Sequence, residues 1–279
     1  MKQYIATAFV TLCLLSSCSE YNKVLKSADY EYKYEAAKAF FTEGSYGKAA
    51  TLLEELVPIL KGSSYGEEAL YMLGMTYQNQ GDYVMAANYF TTYYTSYPRG
   101  EFTEEARFQS GRSLYLGTPE YRLDQTNTYN AIRELQVFIE FFPSSARRLQ
   151  AQDMIFELQD RLVEKEYYSA KLYYDLGTYT GNSSIASTGN NYQAAIVTAQ
   201  NVLKDYPYTS MREALALLIL KAKYGLAKES VEEKKQERMQ DVIDEYYAFK
   251  NDFPESKSLS DVESIFKNAM KYAETSASE

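Results

Sequence analysis

The residues that most often do chemistry in proteins are sparse in this sequence. Histidine is absent, which removes the commonest general base and metal ligand, and the two cysteines are Cys13 and Cys18. Carboxylates occur side by side at Glu54-Glu55, Glu67-Glu68 and Glu104-Glu105, but neighbours on a helix point about 100° apart and do not converge on one substrate. We expect these pairs to lie on solvated helix faces or to stabilise helix N termini. The sequence therefore predicts no enzyme, no cofactor and no metal site.

Cys18 has a different chemistry, set by what precedes it. Lys2 supplies a positive charge, and residues 5–15 (IATAFVTLCLL) form an apolar stretch too short for a normal membrane span. Residues 15–18 (LSSC) then resemble the lipobox of bacterial lipoproteins. The resemblance implies a signal peptide at residues 1–17, acylation of Cys18 and a lipid anchor in a membrane outside the cytoplasm. The alternative is an ordinary signal peptide cut nearby, with Cys18 left free.

The stretch from Glu67 to Pro98 shows the type of structural unit that is repeated along the rest of the chain. Apolar residues recur there at three- and four-residue spacing, the period of one helix face, at Leu70, Leu73, Gly74 and Tyr77. Gly81-Asp82 interrupts this pattern, which restarts at Tyr83, Ala86, Ala87, Phe90 and Tyr94 and stops at Tyr97-Pro98. The order and spacing resemble the tetratricopeptide repeat, a helix hairpin with small residues where the two helices cross.

Related patterns recur along the chain and end at prolines 98, 143, 207 and 254. They predict an all-α fold, a right-handed superhelix of about five tetratricopeptide-like hairpins with a C-terminal capping helix. Residues 18–29 are expected to form a lipidated tether and residues 30–274 the repeat domain, with N-terminal repeats at 30–143 and C-terminal repeats at 144–274. Two insertions, Leu116–Asn130 and Thr178–Asn191, are expected to be loops.

The composition excludes some classes of ligand. The 279-residue chain carries a net charge of −9, whereas nucleic-acid binding requires a basic surface. It contains 29 tyrosines and no tryptophan. A sugar site usually offers an indole platform, so the missing tryptophan disfavours glycan binding.

Three segments resemble a particular family of repeat lipoproteins. The first is the lipobox followed almost at once by the repeat array. The second comprises residues 123–126 (LDQT), Ala131-Ile132 and residues 138–144 (FIEFFPS). The third comprises residues 166–170 (EYYSA), Tyr173-Tyr174, residues 202–209 (VLKDYPYT) and residues 212–215 (REAL). Together they resemble the BamD family, lipoproteins of the β-barrel assembly machinery in the bacterial outer membrane.

The resemblance implies a non-enzymatic scaffold in the outer membrane. Members of the family dock on the periplasmic domains of the barrel protein BamA. Their N-terminal repeats are thought to receive the C-terminal segments of unfolded outer-membrane proteins. Ser19-Glu20 is not followed by a run of acids, which favours a position facing the periplasm.

A helical wheel places a candidate peptide groove on the inner helices of the first three hairpins. The expected lining residues are Tyr34, Lys38, Phe41, Tyr71, Met75, Gln78, Phe108, Arg112 and Tyr115. Tyrosine offers a large contact area at low entropic cost, methionine adapts to varied shapes, and lysine or arginine can pair a peptide carboxylate. The alternative for any one aromatic residue is packing between repeats.

Arg212 marks a second candidate surface, because it begins a helix in the half of the chain that matches the partner-contacting half of the family. We expect it to pair an acidic residue of a BamA-type protein; the alternative is a local pair with Glu213 or Asp205.

Two other functions of the protein stay open at this stage. One is a repeat lipoprotein that adapts peptidoglycan or division proteins, and the other is a glycan-capturing lipoprotein of the SusD type.

Overall fold

The computed structural model describes residues 21–63, 65–179 and 190–276, with side chains up to residue 273. The predicted signal peptide and Cys18 lie outside these residues, as does most of the Thr178–Asn191 insertion. Within the described ranges no helix is both long enough and apolar enough to cross a bilayer.

The described chain is helical, as predicted, and is built from consecutive helix pairs. A short helical segment at residues 21–25 precedes eleven longer helices in these ranges. Their bounds are α1 Tyr30–Thr42, α2 Tyr46–Leu60, α3 Gly66–Gln80, α4 Tyr83–Ser96, α5 Thr103–Leu116, α6 Thr126–Phe141, α7 Arg148–Leu176, α8 Asn191–Asp205, α9 Arg212–Lys228, α10 Glu232–Asp252 and α11 Leu259–Ser276. Five pairs and a last helix, α11, therefore match the predicted hairpins and cap.

The chain divides into two compact units. In its described part, unit 1 comprises residues 21–119 and 125–155 and so contains helices α1 to α6. Unit 2 comprises residues 120–124 and 156–276 and contains helices α8 to α11, and the boundary between the units falls within α7.

In unit 1 each of the helices α1 to α6 packs against the next one in sequence. The α3–α4 hairpin shows why the repeat pattern requires small residues. Gly81 ends α3 with φ +81°, a left-handed conformation that glycine adopts without strain. A Cβ atom on Gly74 would lie 2.8 Å from Phe90 Cε1, so only glycine lets these helices approach this closely. The small residue expected where the two helices cross is thus confirmed.

Unit 2 follows the same principle with longer elements. Val163 and Ala170 of α7 share a buried cluster with Ala195 of α8 and Leu215 of α9. Residues 120–124 also join this unit, because Tyr121 stacks on Tyr168 with ring centroids 4.9 Å apart. Helix α6 begins at Thr126, so the predicted loop Leu116–Asn130 is shorter than expected.

The paired carboxylates expected at helix N termini include Glu67 and Glu105, which lie in the first turns of α3 and α5. Some acids on the inner helices also bond to the turns that follow, which was not expected from the sequence. Glu67 Oε1 accepts hydrogen bonds from the Tyr93 hydroxyl and from the backbone N–H of Glu101, the latter at 2.6 Å. In unit 2, Asp160 Oδ1 accepts from Thr209 Oγ1 at 2.6 Å, and Glu213 Oε1 accepts from Ser256 Oγ at 2.6 Å. In each case an acid on the first helix of a pair holds the turn that leads out of that pair, into the next pair or into α11.

Candidate functional site

The structure divides the nine predicted groove residues of α1, α3 and α5 into two groups. Three are buried: Tyr34, Gln78 and Phe108. Six are partly exposed: Lys38, Phe41, Tyr71, Met75, Arg112 and Tyr115. A peptide on this part of unit 1 would therefore meet the second group.

The surface positions predicted for Tyr34 and Phe108 are wrong. Tyr34 belongs to the buried cluster formed by α1, α2 and α3, and its ring lies 5.0 Å from the Tyr65 ring. The Phe108 ring lies 5.4 Å from that of Phe138. Each inner helix packs against its own partner and against a neighbouring pair, so its buried arc is wider than one wheel face. The Tyr34 hydroxyl is buried without a well-aligned hydrogen-bond partner among the described residues, and burial together with the nearby Glu68 carboxylate raises its pKa.

Lys38, the cation expected on α1, already has a carboxylate partner. Its Nζ lies 2.9 Å from Glu68 Oε1, and it also lies 5.3 Å from the centroid of the Tyr34 ring. The Tyr34 hydroxyl and the Lys38 ammonium lower the pKa of Glu68, while Glu68 raises the pKa of Lys38. Both charges therefore persist at neutral pH and largely cancel each other.

Arg112, the cation expected on α5, is held by neutral amides instead. Its Nη1 donates to Gln78 Oε1 at 2.9 Å and to Gln109 Oε1 at 3.4 Å. Gln78 is in turn fixed by its Nε2, which donates to Gln109 Oε1 at 3.0 Å and to Ser113 Oγ at 2.8 Å. These bonds join α3 to α5 across two repeats.

The charge of Arg112 has no acidic partner in the described part of the chain. None of its nitrogens forms an ion pair with a described carboxylate, and its hydrogen bonds there use Nη1 alone. Arginine has five N–H donors in a planar fork that matches a carboxylate. Nη2 and Nε are thus the donors that a bound anion would meet.

Helix α3 also carries an aromatic and thioether surface, formed by Tyr71 and Met75. Tyr71 stacks on Phe102 with ring centroids 4.7 Å apart and also contacts Phe90 and Tyr93. Burial is the main reason that the pKa of Tyr71 rises to about 12. Met75 packs against the same cluster. Tyr71 is therefore a structural residue as well as a candidate contact.

Three polar residues that hold this site, Gln109, Ser113 and Arg147, were not singled out from the sequence, and Glu105 was expected only at a helix N terminus or a solvated face. The Gln109 amide accepts from Arg112, the Ser113 hydroxyl accepts from Gln78, and Gln109 Nε2 donates to Glu105 Oε1 at 2.7 Å. Arg147 Nε lies 3.3 Å from Glu105 Oε2, which leaves the Glu105 carboxylate paired with a different arginine. The available signal was the polar run at residues 109–113 (QSGRS), at positions where the corresponding face of α3 is apolar.

Comparison with known proteins identifies the family. The sequence matches the family described as “YfiO: Outer membrane lipoprotein” over residues 27–239, most of the chain. The chain belongs to this family. It is also similar to a protein of Aquifex aeolicus (strain VF5) named “Putative outer membrane protein assembly factor BamD”, with 25% identity over 272 residues that cover 97% of this chain and 83% of the relative. Together these findings confirm the family resemblance stated from the sequence.

Solved structures also match this chain, at lower sequence identity. A Podosopora anserina putative kinesin light chain with nearly identical TPR-like repeats is 14% identical, with a TM-score of 0.33, and the match covers 81% of this chain and 96% of that one. The assembly chaperone of RpL4 (Acl4) is 16% identical, with a TM-score of 0.29, and the match covers 90% and 100% of the two chains.

In this YfiO-family chain Arg212 has local partners, although not the expected ones. Its Nη1 donates to the Pro207 carbonyl at 3.0 Å, and its Nη2 lies 3.7 Å from Asp252 Oδ2. The side chain borders a cavity of about 120 Å³, which is also lined by Leu203, Ala216, Glu245, Ala248, Phe249, Asp252 and Phe253. Arg212 and Asp252 are each about half exposed, so water screens their attraction.

Proposed function

We propose that this chain is a non-enzymatic lipoprotein scaffold of the machinery that assembles β-barrel proteins in the outer membrane. In this proposal acylated Cys18 anchors it, it faces the periplasm, and it docks on a BamA-type barrel protein. Its inner helices α1, α3 and α5 receive the C-terminal segments of unfolded outer-membrane proteins. Family membership and the name of the Aquifex relative support the assembly role, and both the family and the repeat fold are scaffold types.

The observation that carries the peptide-binding part of this proposal is the unpaired fork of Arg112. A partly exposed guanidinium without a carboxylate partner is suited to the carboxylate at the end of a peptide. Tyr71 and Met75 supply apolar area for the side chains just before that carboxylate. Because Gln78 and Gln109 hold the guanidinium without neutralising it, the arginine is oriented before the peptide arrives.

A titration with two peptides tests the role of Arg112. The peptides share the last ten residues of an outer-membrane barrel protein and end in a free carboxylate or in a carboxamide. A hydrogen bond to a charged group is worth about 1.5–3 kcal/mol, so we expect the free acid to bind about 10–100-fold more tightly. In Arg112→Gln the two peptides should bind equally.

Arg133→Gln is the matched control, because Arg133 is exposed and its side chain bonds to Asn130 on the same helix. Equal affinity of the two peptides for the unmodified protein would exclude Arg112 as a carboxylate receptor. Tyr71→Ala is a poorer probe, since it also removes the stacking on Phe102.

Arg212 is the proposed contact with the barrel protein. Its ion pair with Asp252 is long and exposed, so Arg212 can leave Asp252 and pair with an acidic residue of a partner protein at a low cost in free energy. We expect Arg212→Glu to weaken co-purification and a reversed acidic residue on the partner to restore it. If no reversal restores binding, Arg212 has only its local role.

A pull-down of the tagged, lipidated protein from solubilised outer membrane tests the proposal as a whole. Mass spectrometry should find a BamA-type barrel protein at comparable abundance. Peptidoglycan-associated, division or glycan-uptake proteins in its place would overturn the assembly role and leave the repeat fold unaffected.

A further inference from the structure

The segment that follows the proposed lipid anchor is folded onto the first helix pair. Residues 18–29 were expected to form a polar tether, but residues 21–25 are helical and Val24 is 3% exposed within the core of α1 and α2. The Tyr21 ring lies edge-on to Phe40 with centroids 5.6 Å apart. The free tether is therefore much shorter than the sequence suggests.

This docking limits how far the first pair can lie from the membrane. Two residues, Ser19 and Glu20, separate Cys18 from Tyr21, and three residue steps span at most about 11 Å when extended. A tether reaching from Cys18 to α1 at residue 30 would instead span about 40 Å when extended. The contacts of Tyr21 and Val24 thus hold the tip of the first hairpin close to an acyl chain on Cys18.

The tip itself has the composition of a membrane-interface surface. We define the tip cluster as Tyr21, Phe40, Tyr46 and Lys48, all of which are partly exposed. Lys48 Nζ lies 5.6 Å from the Tyr21 centroid and 5.1 Å from the Phe40 centroid. Tyrosine and lysine are enriched where proteins meet lipid headgroups.

Local charge at this place is balanced, although the whole chain is acidic, with a net charge of −9. Lys23 and Lys26 are exposed on the docked segment, and the exposed acids nearby are Asp29 and Glu43. Basic side chains beside a lipid anchor are attracted to anionic headgroups, and Lys23 and Lys26 are the ones that can make this contact here.

We infer that the tip cluster rests in the headgroup layer of the bilayer, and that docking of residues 21–25 holds it there. The inference rests on the acylation of Cys18 within the proposed function. It adds a second membrane contact to the anchor and assigns the first helix pair to the membrane surface.

The absence of tryptophan from the chain makes a direct test possible, because one introduced tryptophan is the only indole. Full-length lipidated Tyr46→Trp is bound to vesicles of phosphatidylethanolamine and phosphatidylglycerol with brominated acyl chains. We expect a blue shift and quenching of its emission. Tyr129→Trp on α6 is the matched control, since Tyr129 is an exposed aromatic residue of unit 1 outside the tip cluster, and its emission should stay unquenched.

A second substitution tests whether the docked segment is responsible. Val24→Asp places a charge in a buried site and should release residues 21–25, so that the quenching of Tyr46→Trp falls to the level of Tyr129→Trp while the protein still floats with the vesicles. Asn22→Asp, at an exposed position of the same segment, should leave the quenching unchanged.

The outcomes separate this inference from the function it rests on. Flotation with equal quenching at positions 46 and 129 would overturn the membrane contact of the tip cluster and leave the anchor intact. Quenching that persists in Val24→Asp would overturn the role of the docked segment. Failure of the protein to float would overturn acylation of Cys18 and the inference with it.

Discussion

Helix α1 carries Lys38 and helix α5 carries Arg112, and these two cations differ in what surrounds them. Lys38 lies 2.9 Å from a carboxylate oxygen of Glu68, whereas Arg112 donates to the neutral amides of Gln78 and Gln109. Both were predicted to pair the carboxylate of a bound peptide, because both are basic residues on inner helices. The comparison teaches that the neighbours of a cation, rather than its presence, decide whether its charge is available to a ligand.

The largest expected effect comes from giving Arg112 the kind of neighbour that Lys38 has. Gln78→Glu would place a carboxylate where Gln78 Oε1 now accepts from Arg112. The preference for a free-acid peptide over its carboxamide should then fall by about 10–100-fold, because the internal carboxylate occupies the fork. Peptide titration by fluorescence anisotropy measures this preference.

The control for this substitution is Gln80→Glu, which adds the same charge at an exposed position of α3. It should leave most of the preference intact. A full preference in Gln78→Glu would mean that the donors of Arg112 are not what the peptide contacts.

The converse change should have a smaller effect. Glu68→Gln would leave Lys38 without its carboxylate partner, so that Lys38, like Arg112, would have a charge available to a ligand. The two charges are each about two-fifths exposed, and exposed pairs are worth about 0.2–1 kcal/mol, so we expect an affinity gain of up to about fivefold for the free-acid peptide. Glu104→Gln removes an exposed charge without a described partner and should give no gain. A loss of affinity in Glu68→Gln would contradict this view of Lys38.

The smallest expected effect is on the pH dependence of stability. The pKa of Glu68 is lowered in the folded protein, so its contribution is complete above the ordinary carboxylate pKa and is lost as pH falls through the lowered value. Glu68→Gln should therefore lower the free energy of unfolding at pH 7 by less than about 1 kcal/mol, which is measured as a slightly lower urea midpoint. In acid the difference between the two proteins should vanish. A difference that grows on acidification would have the wrong sign for this pair.

The fold could largely be read from the sequence because its signals are local. The three- and four-residue period, the break at Gly81 and the closing prolines fix helix bounds within one hairpin, and the Gly74–Phe90 contact follows from the same repeat pattern. The lipobox is likewise a short continuous motif, and Cys18 itself lies outside the described residues. These features depend on steric properties of residues close together in the chain.

The site could be read only in part. Lys38, Met75 and Arg112 are partly exposed, as residues of a binding surface must be, whereas Tyr34, Gln78 and Phe108 are buried. A helical wheel describes one helix, whereas an inner helix in a stack of pairs is covered from more than one side. The tether was misjudged for a related reason, since burial of Val24 depends on a surface formed by α1 and α2 together.

The sequence by itself determined the helices, the order of the pairs, the small residues at their crossings and the family to which the chain belongs. Only the tertiary structure decided which charges are cancelled, which aromatic residues are covered and where the N-terminal segment docks. Lys38 meets Glu68 from 30 positions away, and Arg112 meets Gln78 from 34 positions away. Periodicity fixes the face of a helix, but the partner of a side chain depends on how separate helices align, because hydrogen bonds and ion pairs form only between atoms about 3–4 Å apart.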